Sequence, residues 1–513
     1  MDLAALPWPE AGGWLERVAA SPLVAAADGD ERPLRLEGAA LYLDRYWREE
    51  RQVAADLAAL RNLPPAEVDE AVLAEGLARV FGPDDELQRL AAETALRRRC
   101  AVIAGGPGTG KTTTVARLLA LLLEQPGPEP LIGLAAPTGK AAARLVEAIR
   151  EAAADPRLAV AQDVRARLAA LEASTLHRLL GRRPGSHSRF RHDRRTRLPH
   201  DVVIVDESSM LSLWMTGRLL EAVRPDARLV LVGDPGQLAS VEAGAVLGDV
   251  VGAAPPGSGI VILRRVHRFG ERIGGVAEAI QAGDADAAVE RLRGVTWIDA
   301  DAAEPERVPE LQAVRRHAVG SARAVIAAAR AGDGEGALAA LAGFRLLCAH
   351  RRGPYGVRTW TARIEGWLAD AVDGFAGAGE WYAGRPLLVT ENDPGLRLYN
   401  GDSGVVVAAA PGRVTAAFER HGRLLELSPQ RLGAVDTVYA MTVHKSQGSQ
   451  FGTVAVVLPG PDSPILTREL LYTAVTRAER DLIVVGTEAA VRAAVARPIG
   501  RASALRARLW APT

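Results

Sequence analysis

Several residue types that define particular classes of protein are scarce in this 513-residue chain. Only two cysteines, Cys100 and Cys348, are present, which excludes a disulfide-stabilised scaffold and a cysteine-rich zinc module and is typical of a reducing compartment. No apolar run approaches the roughly 18 residues that a membrane-spanning helix needs. Residues 1–10 also lack the basic segment of an export signal. We therefore expect a cytoplasmic protein that does not associate with membranes.

The chain also lacks an excess of charge of either sign, because 62 basic residues balance 62 acidic ones. The net charge gives no indication of a nucleic-acid partner, so any basic surface must be local. Hydrophobic residues make up 48% of the chain and charged residues 24%, which is ordinary globular composition. At about 150 residues per domain, the length predicts three or four domains.

Lysine is nearly absent. It occurs at only three positions, and all of the remaining basic residues among the 62 are arginines. A GC-rich genome replaces lysine by arginine wherever the two are equivalent. They are not equivalent where a compact ammonium must fit beside a phosphate or in a tight loop. The three lysines, Lys111, Lys140 and Lys445, lie in the strings GPGTGKT, APTGKAAARL and TVHKSQG. Their distribution predicts three functional loops.

Short apolar runs alternate with amphipathic stretches in two successive parts of the chain. This is the pattern of buried parallel strands joined by helical crossovers, and it predicts an α/β protein with two doubly wound domains. The runs are AVIAG, LIGLAAP, VVIV and RLVLVGD in the first part, and FRLLCAH, VYAMTVH, TVAVVLP and DLIVVG in the second. We predict that the first domain covers residues 85–340 and the second 341–513. Residues 1–84 have helix-like apolar spacing and are expected to form a small helical domain that could bind a partner.

Two inserts interrupt these domains. Residues 181–200 contain seven arginines and one acidic residue. This segment is either a solvated surface hairpin or a basic surface that follows a phosphate backbone. Residues 385–435 contain strand-like runs separated by glycine turns, and they predict a small all-β unit.

The string GGPGTGKT has the spacing G-x-x-x-x-G-K-T, directly after a predicted strand and before a predicted helix. Its glycines allow backbone N–H groups to face a phosphate, and the helix N-terminus adds partial positive charge. We expect Lys111 to reach the β- and γ-phosphates of ATP and Thr112 to bind Mg²⁺. The candidate nucleotide-binding residues of this loop are Gly105, Gly106, Pro107, Gly108, Thr109, Gly110, Lys111, Thr112 and Thr113.

Candidate catalytic residues follow the later strands. Asp206 and Glu207 end the run VVIV. An acidic pair at a strand end is ordinarily a solvated loop, but phosphoryl transfer requires a carboxylate on the metal and a group that orients the attacking water. With the phosphate loop upstream, we assign Asp206 to Mg²⁺ and Glu207 to the water. Gln237 is a candidate γ-phosphate sensor, and Arg268 and Arg477 are candidate arginine fingers.

Three other segments place small polar and basic residues where a helix begins. Hydroxyls and backbone amides at such positions contact phosphodiesters without reading the base sequence, although the same residues are also ordinary helix caps. The candidate nucleic-acid contacts are Thr138, Gly139, Lys140, Thr175, His177, Thr442, His444 and Lys445.

In this order, the motifs resemble those of superfamily 1 helicases, most specifically those of the RecD family of exonuclease V subunits. The resemblance covers residues 88–486 with gaps. It is carried by GGPGTGKTTTVARLLA, LAAPTGKAAARL, ASTLHRLLG, VVIVDESSM, LVGDPGQLASVEAGAVLGD, HRFG, WYAGRPLLVTEN, NGDSGV, MTVHKSQGSQF and TRELLYTAVTRA. It implies that the two α/β domains are RecA-like, that insert 385–435 is a small β-barrel, and that Gln88 contacts the adenine of ATP.

The resemblance also implies a function. Members of the family are ATP-driven motors that move 5′→3′ on single-stranded DNA from duplex ends, in double-strand break repair and recombination. Their partners are a RecB-like motor-nuclease and a RecC-like scaffold in a heterotrimer. Stand-alone RecD-like helicases usually carry a longer N-terminal extension, so residues 1–84 favour a complex subunit. Two alternatives stay open: a self-sufficient RecD-like helicase, and a subunit whose ATP site only gates assembly.

Overall fold

The computed structural model describes most of the chain. The described residues are 11–25, 30–183, 185–186, 189–240, 242–264, 271–303, 308–375, 379–393, 395–410, 412–420, 423–500 and 503–510. The candidate arginine finger Arg268 lies outside them. Among the described residues, no helix has both the length and the apolar character needed to cross a membrane.

The N-terminal region contains the expected helices together with a small sheet. Its elements are α1 (Ala11–Ala19), β1 (Val24–Ala25), β2 (Leu34–Glu37), β3 (Ala40–Leu43), α2 (Asp44–Arg61), α3 (Glu70–Val80) and α4 (Glu86–Arg97). Strand β2 pairs in parallel with β1 and antiparallel with β3. The side chain of Asp69 caps α3 by accepting hydrogen bonds from the N–H groups of Ala71 and Val72 at 3.0 Å.

The first α/β domain contains a six-stranded parallel sheet with strand order β6-β5-β7-β8-β4-β9. Its elements are β4 (Cys100–Gly105), α5 (Lys111–Glu124), β5 (Ile132–Ala136), α6 (Gly139–Ala154), α7 (Gln162–Ala170), β6 (Ala173–Thr175), α8 (Leu176–Leu180), β7 (Val202–Val205), α9 (Leu213–Ala222), β8 (Arg228–Gly233), α10 (Val246–Val251) and β9 (Ile260–Leu263).

Strand β7 in the middle of this sheet is apolar throughout because both faces of the sheet are covered. In β7, Val202 and Ile204 enter the core on one face, and Val203 and Val205 enter the core on the other. Alternate side chains point to opposite faces, and both faces are buried, so every residue of the strand is apolar. Cys100 is buried in the same way and serves as a core residue.

The second α/β domain contains a five-stranded parallel sheet with strand order β10-β19-β18-β11-β17, which confirms the expected doubly wound fold. Its helices are α11 (Glu271–Ala282), α12 (Ala285–Leu292), α13 (Gln312–Arg330), α14 (Gly334–Leu341), α15 (Val357–Ala371), α16 (Arg468–Val475) and α17 (Glu488–Ala496). Its parallel strands are β10 (Thr296–Ile298), β11 (Phe344–Cys348), β17 (Ala440–Thr442), β18 (Phe451–Val457) and β19 (Ala478–Val485).

The boundary of this domain differs from the expected position at residue 341. Strand β10 pairs with β19 at the sheet edge, and α11 and α12 pack into the second domain's core. The second domain therefore already includes residues 271–340. The sequence signal was weak because β10 is only three residues long and lies in an Ala-, Gly- and acid-rich stretch.

The insert after α15 is all β, as the sequence predicts. Its strands are β12 (Pro386–Val389), β13 (Ser403–Ala410), β14 (Arg413–Arg420), β15 (Arg423–Leu427) and β16 (Val435–Thr437). They pair antiparallel in the order β15-β14-β13-β12-β16. One face packs on α13 and α14. In the basic insert at 181–200, an antiparallel bridge joins Arg182 and Phe190.

The chain ends on the first domain and the N-terminal region. The last helix, α18 (Leu505–Trp510), packs against α2 and α10. The buried carboxylate of Glu50 on α2 accepts hydrogen bonds from the N–H of Ala504 at 3.2 Å and from Nε of Arg508 at 3.1 Å. The chain therefore returns from the second α/β domain to the first, where α18 and the residues just before it contact α2.

Candidate nucleotide and nucleic-acid sites

Strand order brings the predicted catalytic segments together. Strands β7, β8 and β4 are neighbours, and the segments that follow them meet at the carboxyl edge of the sheet, where α/β proteins bind ligands. There, a cavity of about 530 Å³ opens between the two α/β domains. The predicted site residues that line it are Pro107, Gly108, Gly110, Lys111, Thr112, Thr113, Asp206, Glu207, Gln237 and Arg477.

The phosphate loop, residues 105–112, turns tightly into α5. Gly110 has φ 84° and stands immediately before the helix, a conformation that favours glycine. The ammonium of Lys111 donates to the carbonyl oxygens of Gly105 and Gly106, both at 2.8 Å. The hydroxyl of Thr109 donates to the same Gly106 carbonyl at 2.8 Å. The ammonium of Lys111 therefore lies inside the loop, where it is stabilised by the carbonyl groups of the loop itself.

Gln88 lies on α4, beside this loop. Its side chain is buried, and its Nε2 atom is 3.5 Å from the position that a Cβ on Gly110 would occupy. The amide is therefore next to the start of α5. Gln88 is not among the residues that line the cavity, so its role in contacting adenine stays a prediction.

Asp206 and Glu207 follow β7 and are held in an unusual geometry. Glu207 has φ 50°, a left-handed conformation that costs a non-glycine residue about 1 kcal/mol or more. Its N–H donates to Oδ1 of Asp206 at 2.8 Å. Burial, and secondly the charge of Glu207, raise the pKa of Asp206 to about 7, while Lys111 acts in the opposite direction. An unusual backbone conformation and a perturbed carboxyl are typical of a functional site.

Asp234 and Tyr472 contact residues of the site without lining the cavity, and the sequence analysis did not include them among the site residues. The fully buried carboxylate of Asp234 accepts hydrogen bonds from the Gly236 N–H at 2.9 Å, from Nε2 of Gln237 at 2.9 Å and from the Tyr472 hydroxyl at 3.2 Å. Burial raises the pKa values of both Asp234 and Tyr472. Tyr472 lies in the motif TRELLYTAVTRA, which is the signal in the sequence that could have identified it.

The predicted finger Arg477 follows α16, reaches the cavity from the second domain and is only 3% exposed. Nε donates to the carbonyl of Thr473 at 3.0 Å and Nη1 to that of Ser449 at 3.2 Å. Burial lowers the pKa of its guanidinium, and the charges of Glu207 and Asp234 oppose that change. These bonds orient a cation toward the side of the cavity that carries the acids.

Other residues that the sequence analysis did not single out line the cavity too. They lie on one face of α6 and in the segment after β17, and they include Arg144, Glu147, Glu151 and Gln450. Their spacing on α6 is that of a single helical face, but nothing in the local motif distinguished these residues from an ordinary solvated surface.

Each of the three predicted nucleic-acid segments contains a capping hydroxyl. Thr138 accepts from the Ala141 N–H at 3.2 Å, Thr175 from the Arg178 N–H at 3.3 Å and Thr442 from the Lys445 N–H at 3.3 Å. The first two segments are adjacent, because β5 and β6 pair up to Thr175. A Cβ on Gly448 would lie 3.9 Å from Ala141 Cβ, so the segment after Lys445 also approaches α6.

The basic side chains of these segments have distinct surroundings. Lys140 lines a second cavity, of about 480 Å³, between α6 and the β insert, together with Arg144, Arg345 and Asp402. Burial, and then Arg144, lower the pKa of Lys140 to about 7, while Asp402 opposes them. A Cβ on the preceding Gly139 would lie 3.3 Å from Tyr399 of the insert, so the two segments are in close contact.

The two candidate histidines lie on different segments. The ring of His177 makes an edge contact with Phe190, with centroids 5.8 Å apart. His444 and Lys445 are half-buried in the short 3₁₀ helix His444–Ser446. These positions do not test a contact with nucleic acid, so the roles of both segments stay predictions.

Two parts of the sequence match known family models. The sequence matches the AAA domain family over residues 88–243 and the UvrD-like helicase C-terminal domain family over residues 437–485. A solved structure of the Pif1 helicase from Bacteroides in complex with ADP-AlF3 and single-stranded DNA is similar with a TM-score of 0.41 and 16% identity, over 79% of this chain and 92% of that one.

Curated relatives match nearly the whole chain. The RecBCD enzyme subunit RecD of Mycolicibacterium smegmatis is 52% identical over 99% of this chain and 88% of that protein. The subunit of the same name from Mycobacterium tuberculosis strain H37Rv is 53% identical over 98% of this chain and 85% of that protein. The ATP-dependent RecD2 DNA helicase of Deinococcus radiodurans is 34% identical over 93% of this chain and 59% of that protein.

Proposed function

This chain belongs to the RecD family of DNA helicases, and from that membership we propose that it is the ATP-driven 5′→3′ motor subunit of a RecBCD-type complex. The observation that carries the proposal is the interdomain cavity, in which the phosphate loop and the Asp206–Glu207 pair of one domain face Arg477 of the other. A nucleotide in that cavity contacts both domains, so its binding and hydrolysis change how the domains meet.

The roles of the catalytic residues follow from their positions in the cavity. Lys111 exchanges the carbonyl oxygens of its own loop for the β- and γ-phosphates, which attract an ammonium more strongly. Glu207 orients the attacking water, and Gln237 contacts the γ-phosphate. Arg477 neutralises the charge that develops on the transferring phosphoryl group, an effect worth roughly 10³–10⁵ in turnover. The proposed role of Arg268 as a second finger rests on its HRFG motif alone.

The oxygen donors of the cavity fit a magnesium ion. The hydroxyl of Thr112 and the carboxylate of Asp206 both line the cavity, and hard oxygen donors of this kind hold Mg²⁺ together with phosphate oxygens and water. Among the described residues there is no cluster of three or more His, Cys, Asp or Glu that could hold a metal, so the ion depends on the nucleotide for further ligands. Bound there, it supplies Lewis-acid stabilisation of phosphate charge.

Single-stranded DNA is proposed to cross both domains over three segments. Thr138 to Lys140 and Thr175 to His177 follow neighbouring strands of the first sheet, and Thr442 to Lys445 follow β17 of the second. Gln447, two residues beyond Lys445, donates to the carbonyl of Leu238 at 2.7 Å. Leu238 adjoins Gln237, so this bond supports a connection between the DNA segment and the ATP site.

The proposed partners are a RecB-like and a RecC-like subunit, and the proposed substrates are duplex DNA ends and the single strands derived from them. Exposed leucines on the N-terminal region, Leu23, Leu41 and Leu43, support its role in binding a partner. We place the complex in the cytoplasm, where it acts in double-strand break repair and recombination. Any nuclease activity comes from a partner.

Strand displacement tests this function. The chain is assayed with RecC-like and RecB-like subunits, the latter with its own P-loop lysine replaced, on duplexes with a 5′ or a 3′ single-stranded tail. Unwinding of the 5′-tailed duplex alone, lost in Lys111→Gln, is the expected result. Unwinding by the chain without partners would establish the stand-alone helicase instead. Assembly that requires ATP, without unwinding of either duplex, would establish the gating subunit.

A further inference from the structure

Two consecutive residues on one helix of the second domain form hydrogen bonds with one loop of the first domain. The hydroxyl of Tyr472 on α16 donates to Oδ2 of Asp234 at 3.2 Å. The hydroxyl of Thr473 accepts from the Leu238 N–H at 2.9 Å. Both bonds join α16 to residues 234–238, the loop after β8. They can form only when the two motor domains are in contact.

The same loop holds the candidate γ-phosphate sensor. Asp234 accepts a hydrogen bond from Nε2 of Gln237 at 2.9 Å, on the same oxygen, Oδ2, that Tyr472 reaches. Asp234, Gln237 and Tyr472 are all at least 95% buried. A buried carboxylate needs its donors, because water cannot replace them there. The orientation of the glutamine amide therefore depends on how Asp234 is held.

Tyr472 is also in contact with the phosphate loop. A Cβ on Gly106 would lie only 2.9 Å from the tyrosine hydroxyl. Gly106 is one of the two residues whose carbonyls accept from Lys111. A single hydroxyl from the second domain thus touches the phosphate loop and the residue that holds the sensor.

We propose that Tyr472 is a positioning residue that holds Gln237, through Asp234, in the orientation required for hydrolysis only while the two domains are closed. The inference rests on the proposed function, in which Gln237 contacts the γ-phosphate. Arg477, the proposed finger, follows the same helix and donates to the carbonyl of Thr473. Movement of α16 therefore displaces the finger and releases the sensor in one step, which prevents hydrolysis in the open state.

The test is Tyr472→Phe, which removes the hydroxyl and keeps the ring. We expect the DNA-stimulated kcat for ATP to fall about tenfold, the effect of losing one hydrogen bond to a charged acceptor. The KM for ATP should change by less than about twofold, because Tyr472 does not line the cavity. A purely structural role would lower the melting temperature and leave kcat unchanged.

A double-mutant cycle shows whether Tyr472 acts through Gln237. If it does, Tyr472→Phe has no further effect on kcat in a Gln237→Ala background, so the double variant matches Gln237→Ala. Full additivity of the two substitutions would overturn the proposal. Should Tyr472→Phe fail to fold, Asp234→Asn tests the same path, and it too must leave Gln237→Ala unchanged.

Tyr382→Phe is the matched control. Its hydroxyl bonds that of Tyr439 at 2.8 Å, away from the ATP site, and its loss should leave kcat unchanged. An equal decrease in Tyr382→Phe and Tyr472→Phe would contradict the proposal. Absence of DNA-stimulated hydrolysis in the wild-type complex would instead contradict the proposed function, so the two failures are distinguishable.

Discussion

The backbone N–H of Glu207 donates to the carboxylate of Asp206 at 2.8 Å. The two acids at the end of β7 are thereby joined, and the backbone of Glu207 adopts a left-handed φ of 50°. Burial of Asp206, and secondly the charge of Glu207, disfavour its ionised form, so the pKa of Asp206 rises to about 7. A bound cation would relieve this cost. Without a cation, the ionised form of Asp206 therefore lowers the stability of the folded chain.

The first prediction concerns stability. The pKa of Asp206 is about 7 in the folded chain against an ordinary value of 3.8, so the folded state binds more protons than the unfolded state between those values. The protonated Asp206 carboxyl therefore contributes stability below about pH 4, and this contribution is lost as the pH rises to about 7. A tenfold difference in proton affinity between the two states corresponds to about 1.4 kcal/mol. We expect Asp206→Asn to raise the free energy of unfolding at pH 8 by more than about 1 kcal/mol.

Denaturant unfolding at pH 8 and pH 5, without nucleotide, measures this effect. Asparagine retains an oxygen that can accept from the Glu207 N–H, so the local backbone should be kept. The gain should shrink at pH 5, and ATP hydrolysis should be lost at both. A variant that is less stable than the wild type at pH 8 would show that the carboxylate is not strained in the folded chain.

The second prediction concerns Lys111. Its replacement by glutamine removes the only ammonium in the phosphate loop, and we expect kcat for ATP to fall by about a hundredfold or more, since electrostatic stabilisation is the main term in phosphoryl transfer. The fold should be unaffected, because the bonds that Lys111 makes are to the carbonyls of its own loop. Steady-state hydrolysis and far-UV circular dichroism measure the two effects. Arg157→Gln, which removes an exposed cation paired with Asp155, is the control and should hydrolyse ATP normally.

The sequence predicted those parts of the site that are local in the chain. The phosphate loop, the acids after β7 and Arg477 all lie in short motifs next to a strand or a helix. The Asp234–Tyr472 bond joins residues that are 238 positions apart, and only the packing of the two domains brings them together. Strand β10 was missed because three residues carry too little periodicity to identify a strand.

The nucleic-acid residues illustrate a different limit. A threonine before a helix has the same sequence signature whether it caps the helix or contacts a phosphodiester. Thr138, Thr175 and Thr442 all make the capping bond, which does not decide between the two roles. The half-buried state of Lys140 was also not predictable, because the residues that face it across the cavity belong to the β insert and the second domain, which are distant in sequence.

The third prediction concerns Arg477. Replacing it by alanine removes the proposed finger, and we expect the DNA-stimulated kcat to fall roughly 10³-fold. Lysine at the same position should recover only a small part of this loss. An ammonium lacks the planar guanidinium whose separate N–H groups donate to the carbonyls of Thr473 and Ser449. Single-turnover hydrolysis at saturating ATP measures the chemical step.

Arg468→Ala serves as the comparison for Arg477. Arg468 begins α16, the helix that Arg477 follows, and it also donates to a backbone carbonyl, that of Val495 at 2.9 Å, but it does not line the cavity. Its loss should therefore lower stability without lowering kcat. Equal kcat values for Arg477→Ala and the wild type would exclude a role for this arginine in the chemical step.

The fourth prediction concerns the pH dependence of DNA binding. With a pKa of about 7, Lys140 is charged at pH 6 and neutral at pH 8.5. If it contacts a phosphate, affinity for single-stranded DNA should fall across this range by up to about tenfold. In Lys140→Arg the fall should be smaller, since a guanidinium stays charged.

Fluorescence anisotropy with labelled oligonucleotide, at constant ionic strength, follows this change. The groups that face Lys140 across its cavity include Arg144, Arg345 and Asp402, and the arginines remain charged over the range tested. Parallel pH profiles for the wild type and Lys140→Arg would show that the titration belongs to another group.

The most direct measurement is ATP hydrolysis by the purified chain with and without single-stranded DNA, at low and moderate salt, followed by the same assay with RecB-like and RecC-like partners. If the ATP cavity is coupled to a groove that binds the DNA backbone, single-stranded DNA should strongly stimulate ATP hydrolysis. This stimulation should weaken as the salt concentration increases. Hydrolysis that stays unstimulated by DNA, in a folded protein that binds ATP and in the presence of both partners, would contradict the conclusion that this chain is a DNA motor.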